Sequence, residues 1–170
     1  DVETLACDGL DTVCEALADG EADHEFNVAW VDCTAAGRRL GRGIVSRGDW
    51  AAGAGADRRV HRDPRWSVPT DRFSPLGPAT LRLFNALYHG LGRAKAGRGR
   101  SHYEPFLYTL DAIRDWNRLY GRQGFFQYQC VIPDAAGREP VRDLLAAIAA
   151  SGEGSFLAVL KRFGAQVSPG

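Results

Sequence analysis

Three polar side chains on two otherwise apolar segments are the residues best suited to chemistry in this sequence. Gln127 and Gln129 alternate with aromatic and branched residues in Gly124–Pro133, and Lys161 lies within Ser155–Gly164. Both segments have the composition of strands and are bounded by glycine, proline or serine. Because successive side chains of a strand point to opposite faces, the two glutamines share one face. Amides and an ammonium group on facing strands can line a pocket for a polar ligand, since each then needs a hydrogen-bonding partner.

A structural interpretation of the same pattern stays open. Glutamines at alternate positions are also typical of a one-sided antiparallel sheet whose other face is in water. Lys161 could equally extend its aliphatic stem from a strand end. Lys161 is one of only two lysines, against nineteen arginines, which favours a chemical role for it. The residues that share its face of the second segment are Leu157, Val159 and Phe163.

The elements that must position these residues form a repeated strand–helix–strand unit. Helical spacing of Val141, Leu144, Leu145 and Ile148 predicts a helix over Arg138–Ser151, between the two strands. The start of the chain shows the same order. There the patterns predict a strand at Val2–Cys7, a helix at Leu10–Leu17, and strands at Glu25–Cys33 and Arg42–Trp50. The sequence therefore predicts an α+β fold, with a mostly antiparallel sheet and helices packed on one face.

The middle of the chain is less regular. Ala51–Pro78 is rich in glycine, proline and arginine, which indicates either a mobile lid or a disordered loop. Further on, the patterns predict a helix over Pro78–Leu91, whose apolar face holds Leu81, Phe84, Leu87, Tyr88 and Leu91. A basic turn over Gly92–Arg100 follows. After it, the patterns predict an edge strand over Ser101–Leu110 and a short helix over Asp111–Tyr120. The whole of residues 1–170 is expected to form a single domain.

Composition limits the class of protein. No segment approaches the roughly 18 apolar residues of a membrane span, and 45% apolar with 25% charged residues is typical of a globular domain. The four cysteines lack metal or redox spacing, so we expect free thiols in a reducing, cytoplasmic environment. The histidines and carboxylates show no metal-binding pattern. The absence of methionine indicates a segment of a longer protein.

A zero net charge conceals an uneven distribution. Residues 1–37 hold ten acidic residues and no lysine or arginine, whereas residues 38–133 hold seventeen basic residues and seven acidic ones. The two regions could meet across a sheet, or the basic region could face an anion. The chain lacks the stacking pattern and the helical motifs of nucleic-acid-binding proteins, so no nucleic-acid partner is expected. The known phosphate-cradling glycine motifs are also absent.

The order of five segments resembles a known family. FNVAWVDC, LGRGIVSRGDWA, the WNR segment, GFFQYQCVIP and SFLAVLKRFG occur in the order seen in the substrate-binding domain of FAD-linked oxidoreductases of the vanillyl-alcohol-oxidase type. Among these, the pattern is most similar to members that oxidise polyprenylphosphoryl ribose. The resemblance implies a substrate-binding domain without catalytic residues of its own, excised from a longer flavoprotein. FAD would be bound mainly by a domain outside this chain and would accept a hydride from an alcohol of a sugar or sugar phosphate.

The resemblance also implies which residues hold the substrate. Carried over position by position, they are Gln127, Gln129, Lys161, Trp30, Leu157, Val159, Phe163 and Arg118. A partner reductase is implied, and a polyprenyl-linked substrate would entail peripheral contact with a membrane. The isolated chain would be inactive. Two other functions fit the residues alone: a small-molecule-sensing or dimerising α+β domain, and binding of an anionic surface or RNA through the arginine-rich region.

Overall fold

The computed structural model describes residues 1–53, 66–69 and 74–164. In these residues the strands are β1 (Val2–Cys7), β2 (Phe26–Val31), β3 (Gly43–Gly48), β4 (Trp66–Ser67), β5 (Gly97–Gly99), β6 (Ile113–Arg114) and β7 (Val159–Leu160). The α-helices are α1 (Leu10–Glu21), α2 (Pro78–Ala94), α3 (Tyr103–Leu107) and α4 (Glu139–Ser151). This arrangement confirms the predicted α+β class.

The main sheet is antiparallel throughout, with the strand order β5-β1-β3-β2-β7. The central strand β3 pairs along its full length with β1 on one side and with β2 on the other. The register places Cys7, Gly43 and Val31 in one row across the sheet. The predicted order of a strand, a helix and two further strands at the start of the chain is therefore confirmed, and the last two strands pair antiparallel. β4 and β6 form a separate parallel pair.

One face of the sheet carries the apolar core. Leu10, Val13 and Leu17 of α1 are almost fully buried against Val45 of β3, and Leu145 of α4 joins the same cluster. These residues recur at helical spacing in α1, so the predicted amphipathic helix is present and extends to Glu21. Burying each of these side chains contributes about 1.5–3 kcal/mol, which makes this face the main source of stability.

The opposite face is covered by α2 and α3, so helices pack on both faces of the sheet, whereas the sequence predicted them on one face. The buried residues of α2 are Leu81, Asn85 and His89. The Asn85 amide donates a hydrogen bond to the Asp32 carboxylate at 2.9 Å, and the His89 ring bonds the Cys7 carbonyl oxygen at 3.0 Å. Of the predicted apolar stripe of α2, only Leu81 is buried; the rest of the stripe is exposed. From α3, Phe106 lies directly over Gly48 of β3, where a Cβ atom would meet its ring.

The prediction of an edge strand over Ser101–Leu110 was wrong, because this region contains helix α3. Pro105 fits there because a helix's first turn has no internal partner for the missing N–H. The His102 side chain accepts a hydrogen bond from the Glu104 amide at 3.4 Å and caps the helix. The predicted helix over Asp111–Tyr120 is also replaced, by 3-10 turns at Thr109–Ala112 and Trp116–Gln123 on either side of β6. Asp115 adopts φ of 59°, which interrupts a continuous helix.

Of the two strands predicted on either side of α4, one is absent and the other is shorter than predicted. Gly124–Pro133 is not a strand, and its residues make no sheet pairing with the described residues. Of Ser155–Gly164, only β7 pairs, along the edge of β2. The predicted basic turn over Gly92–Arg100 contains β5, which extends the other edge. The predicted loop Ala51–Pro78 lies largely outside the described residues, which here include β4 and the start of α2.

Candidate functional site

Trp30 and Val159 lie side by side on the face of the sheet that α2 partly covers. They are direct partners in the register between β2 and β7. The indole Nε1 of Trp30 donates a hydrogen bond to the Phe156 carbonyl oxygen at 2.8 Å, and its ring lies 4.6 Å from that of Tyr88. Val159 is half exposed beside it. The structure thus brings two of the predicted substrate-binding residues together on one surface.

After β7, successive side chains continue to point alternately to the two faces of the sheet. Arg162 forms an ion pair with Glu21, at the end of α1, at 2.5 Å, and a second with Asp134 at 2.9 Å. Since neighbouring residues of an extended chain point to opposite sides, Lys161 is directed to the face of Trp30. Lys161 is exposed and has no hydrogen bond or ion pair with the part of the chain that the structure describes. Its ammonium group is therefore available to an anion.

Leu157 and Phe163 are the other predicted residues of this segment. Both are exposed apolar side chains, and the Leu157 amide donates to the Ser155 hydroxyl at 2.9 Å. They flank Val159 and Lys161 at alternate positions, so four predicted residues from one segment can face the same ligand.

Seven aromatic rings form a continuous row that begins at Trp30. Consecutive centroids are 4.4–6.1 Å apart. Such edge and offset contacts contribute about 0.5–1.5 kcal/mol each beyond the burial of area. The members of this aromatic row, in order, are Trp30, Tyr88, Phe84, Phe156, Tyr120, Phe125 and Trp116. The sequence analysis did not identify the row, although the spacing of Phe84 and Tyr88 by four in a helix was a signal for part of it.

Burial raises the pKa of Tyr88, and it raises the pKa of Tyr120 despite a hydrogen bond to Ser155. Both phenols therefore stay protonated at neutral pH and can donate hydrogen bonds. A row of apolar rings with two hydroxyl donors is suited to an amphipathic ligand.

Gln127 and Gln129 lie in an extended, exposed segment. Neither side chain bonds to another described residue. Phe125, two residues before Gln127, stacks on Tyr120 at 4.4 Å, and Tyr120 lies 5.6 Å from Phe156. The aromatic row therefore holds the start of this segment close to Phe156, while the two glutamines stay predicted ligands.

Arg118 lies at the small β4–β6 pair. Its guanidinium donates to the Val68 carbonyl oxygen at 3.2 Å and forms an ion pair with Asp115 at 3.1 Å. Both bonds hold Arg118 beside these two short strands. Its expected role in substrate binding stays a prediction.

A buried polar cluster, which the sequence analysis missed, anchors the segment before β7. Asp32 accepts hydrogen bonds from Thr34, from Arg42 at 2.8 and 3.0 Å, and from Asn85 at 2.9 Å. The Asn85 amide also donates to the Ser155 carbonyl oxygen at 3.1 Å. The signal was an asparagine at the centre of an apolar helix. Through Asn85, the cluster fixes the backbone next to Phe156, which receives the Trp30 bond.

Burial raises the pKa of the Asp32 carboxyl group, but the hydrogen bonds from Thr34, Arg42 and Asn85 outweigh it. The net pKa is below the ordinary value, and the group is charged at neutral pH.

A charged cleft of about 550 Å³ lies at the far end of the sheet from Trp30. Its side chains are largely paired with one another: Arg98 bonds Glu3 at 2.9 Å, and His24 bonds Asp49 at 2.6 Å. Hydrogen bonds from the Glu25 amide and from His24 lower the pKa of Asp49. Because these charges already have partners, we place the candidate site at Trp30 and not in this cleft.

The turn from β1 to α1 offers no cradle for the pyrophosphate of a dinucleotide. At the turn from β1 to α1, the Leu10 amide donates to the Leu40 carbonyl oxygen at 2.9 Å and the Gly9 amide to the Thr12 hydroxyl at 3.3 Å. Both amides already have partners, and Asp8, which pairs with Arg93, places a carboxylate beside them, so the turn is unsuited to an anion. This turn therefore does not fit as the site that holds FAD.

Further findings concern metal binding, the cysteines and membrane spans in the described residues. No group of three or more histidine, cysteine or acidic side chains among them could hold a metal ion, and their cysteines are free thiols. Burial raises the pKa of Cys7, Cys14 and Cys33. Within the same ranges, no helix has the length and apolar character needed to cross a bilayer.

The chain is similar to the decaprenylphosphoryl-beta-D-ribose oxidase of Mycolicibacterium smegmatis. The two sequences are 34% identical over 165 residues, which cover 91% of this chain and 35% of the relative. The chain thus spans about a third of the length of this relative. No protein-family model matches the sequence. The similarity supports the expected relation to an oxidoreductase.

Proposed function

We propose that this chain is the substrate-binding domain of a longer FAD-dependent oxidoreductase that oxidises an alcohol of a sugar or sugar phosphate. The observation that carries the proposal is the 34% identity, over 91% of the chain, with an oxidase of a polyprenyl-linked ribose. The geometry supports it, because Trp30 and Val159 share a sheet face with Lys161, which has no partner among the described residues. An apolar wall and a cation together suit the ring face and the phosphate of such a substrate.

The residues of the chain have distinct parts in this proposal. Lys161 binds a phosphate oxygen as a compact point charge, since it has no carboxylate partner among the described residues. Trp30 and Val159 pack against the apolar face of the sugar. Gln127 and Gln129 donate and accept hydrogen bonds with its hydroxyl groups, which requires their segment to close over the sheet face.

The cofactor and partners belong to the parent protein. FAD would be bound mainly by a part of the parent outside this chain, as the resemblance implies, and the turn from β1 to α1 does not fit its pyrophosphate. The chain's own contribution is to bind and orient the alcohol and to exclude water from it. A partner reductase, a cytoplasmic location and peripheral membrane contact complete the proposal.

The test uses the full-length protein. Its flavin absorbance is recorded, and polyprenylphosphoryl ribose and simple sugar phosphates are added without oxygen. We expect one of them to bleach the flavin, and we expect Lys161→Ala and Gln129→Ala to weaken that response with flavin still bound. Arg162→Ala, next to Lys161 but paired with Glu21, is the matched control and should bleach normally.

Each outcome bears on a separate part of the proposal. A full-length protein without flavin would refute the oxidoreductase assignment and favour a sensing or dimerising domain. Normal bleaching by both variants would retain the oxidoreductase assignment and refute the assigned binding face. The isolated chain should show neither flavin absorbance nor activity.

A further inference from the structure

Helix α2 presents a stripe of leucines to the outside. Leu83, Leu87 and Leu91 are 61, 59 and 61% exposed, although they recur every four residues and so lie on one side of the helix. The stripe extends over about 12 Å of helix. An amphipathic helix of a globular domain normally turns such a stripe to the core. Here α2 instead buries the polar residues Asn85 and His89.

The stripe is continuous with the candidate site. Phe84 and Tyr88 lie beside the leucines on α2 and are 46 and 39% exposed. The Tyr88 ring in turn contacts Trp30 at 4.6 Å, and Trp30 is the register partner of Val159. The charged residues of α2, Arg82 and Arg93, are not among these apolar side chains. A path of leucine and aromatic side chains therefore leads from the site along the outside of α2.

We infer that this path, the apolar track of Leu83, Phe84, Leu87, Tyr88 and Leu91, binds the hydrocarbon chain of a lipid-linked substrate. The inference rests on the proposed function and adds a second site to it. The relative's name specifies a ribose joined through phosphate to a decaprenyl chain, which is a long, uncharged hydrocarbon.

The arrangement of the two sites agrees with such a ligand. With the phosphate at Lys161 and the sugar at Trp30, the hydrocarbon must leave the site over an apolar surface, because contact with water is unfavourable for it. The aromatic rings of the track pack well against branched hydrocarbon, and the leucines extend the same surface.

The experiment compares two substrates with the full-length protein. One is decaprenylphosphoryl ribose presented in detergent micelles, and the other is a water-soluble analogue with a single isoprene unit. In Leu87→Gln and in Leu91→Gln we expect the KM for the long-chain substrate to rise about tenfold, with kcat within twofold. The KM for the short analogue should stay within twofold, since it does not reach the track. Leu107→Gln, an exposed leucine of α3, is the control and should change neither KM.

Four outcomes would overturn the inference. Equal changes for both substrates, or no change for either, would show that the hydrocarbon does not bind the track. A lowered melting temperature in both track variants but not in Leu107→Gln would show that the stripe packs against another part of the protein. If Leu87→Gln and Leu91→Gln bound anionic vesicles more weakly in a sedimentation assay, with no change in KM for the long-chain substrate in micelles, the stripe would be a bilayer-docking surface. Turnover of the short analogue in any of these cases retains the proposed function, whereas failure to oxidise either substrate refutes both.

Discussion

The carboxylate of Asp32 is buried at the end of β2 and bonded on both oxygens. One oxygen accepts from Thr34 and Asn85, and the other accepts both bonds from the Arg42 guanidinium. A buried charge is tolerated only when it is paired and hydrogen-bonded in this way. The same cluster joins β2, β3, α2 and the backbone of Ser155, so it links the core strands to the segment that carries the candidate site.

We expect Asp32→Asn to lower the free energy of unfolding by about 3 kcal/mol, near the low end for a broken buried ion pair, because Arg42 keeps some contact with water. The effect should depend on pH. The folded-state pKa of Asp32 is below the ordinary value, so its stabilisation is complete above about pH 4 and is lost as the pH falls through the folded-state pKa. Urea unfolding between pH 3 and 7 measures both effects. Equal acid sensitivity of the variant and the original chain would contradict the prediction, and Asp143→Asn, at an exposed carboxylate of α4, is the control.

At the residue scale, the sequence could predict the members of the site on one segment but not their partners. Alternation placed Leu157, Val159 and Lys161 on one face, and Arg162 pairs on the opposite side, as that alternation requires. The Trp30–Phe156 hydrogen bond joins positions 126 residues apart, and no local pattern encodes it. The buried Asn85 could not be predicted either, because its burial is stabilised by Asp32 and the Ser155 carbonyl, which lie far away in sequence.

At the scale of elements, α2 approaches the sheet closely through a glycine. A Cβ atom on Gly92 would overlap the buried side chain of Ile44, whereas nothing lies within 4 Å of the corresponding position on Gly90. Ile44 is branched and enclosed, so it has little room to move. Glycine within a helix is otherwise unfavourable by about 1 kcal/mol relative to alanine.

The two glycines therefore provide a matched pair of variants. We expect Gly90→Ala to raise the free energy of unfolding by about 0.5–1 kcal/mol, through helix propensity alone. Gly92→Ala should lower it by about 1–3 kcal/mol, because overpacking outweighs propensity. Thermal and urea unfolding measure the two changes. If both variants were stabilised, α2 would not pack on Ile44 as the structure shows.

The elements that the sequence predicted well are those with one apolar and one polar face, which a short stretch of sequence is enough to reveal. β1, α1, β2, β3 and α4 have clear periodicity and short connections, so their bounds agree with the predictions to within a few residues. Gly124–Pro133 has an equally good strand pattern but no partner among the described residues, and a strand needs a partner for its amides. Pro105 was taken to interrupt a strand, although it suits the first turn of α3 equally well.

At the scale of the whole molecule, the uneven charge of the sequence is partly neutralised across the sheet. Arg98 of β5 and Arg47 of β3 both pair with Glu3 of β1, at 2.9 and 3.5 Å, and Arg100 pairs with Asp1 at 3.1 Å. The acidic start and the basic middle therefore meet, which was one of two alternatives. The pairs of the exposed Arg98 and Arg100 contribute only about 0–1 kcal/mol each to stability. Their main effect is therefore on the electrostatic potential that an approaching ligand meets.

This pairing leads to an expectation about nucleic acids. Because Glu3 and Asp1 neutralise the arginines at the β5 edge, the chain should show no saturable binding of a fluorescent single-stranded RNA at micromolar concentration and physiological salt, as measured by anisotropy. Glu3→Gln releases Arg98 and Arg47, so it should allow weak binding at low salt only. The binding of that variant should fall steeply between 50 and 200 mM salt, because it depends on the release of counterions. Tight binding by the unaltered chain, weakened by Arg98→Gln, would contradict the expectation. It would mean that the basic middle of the molecule faces an anionic partner despite its internal pairs.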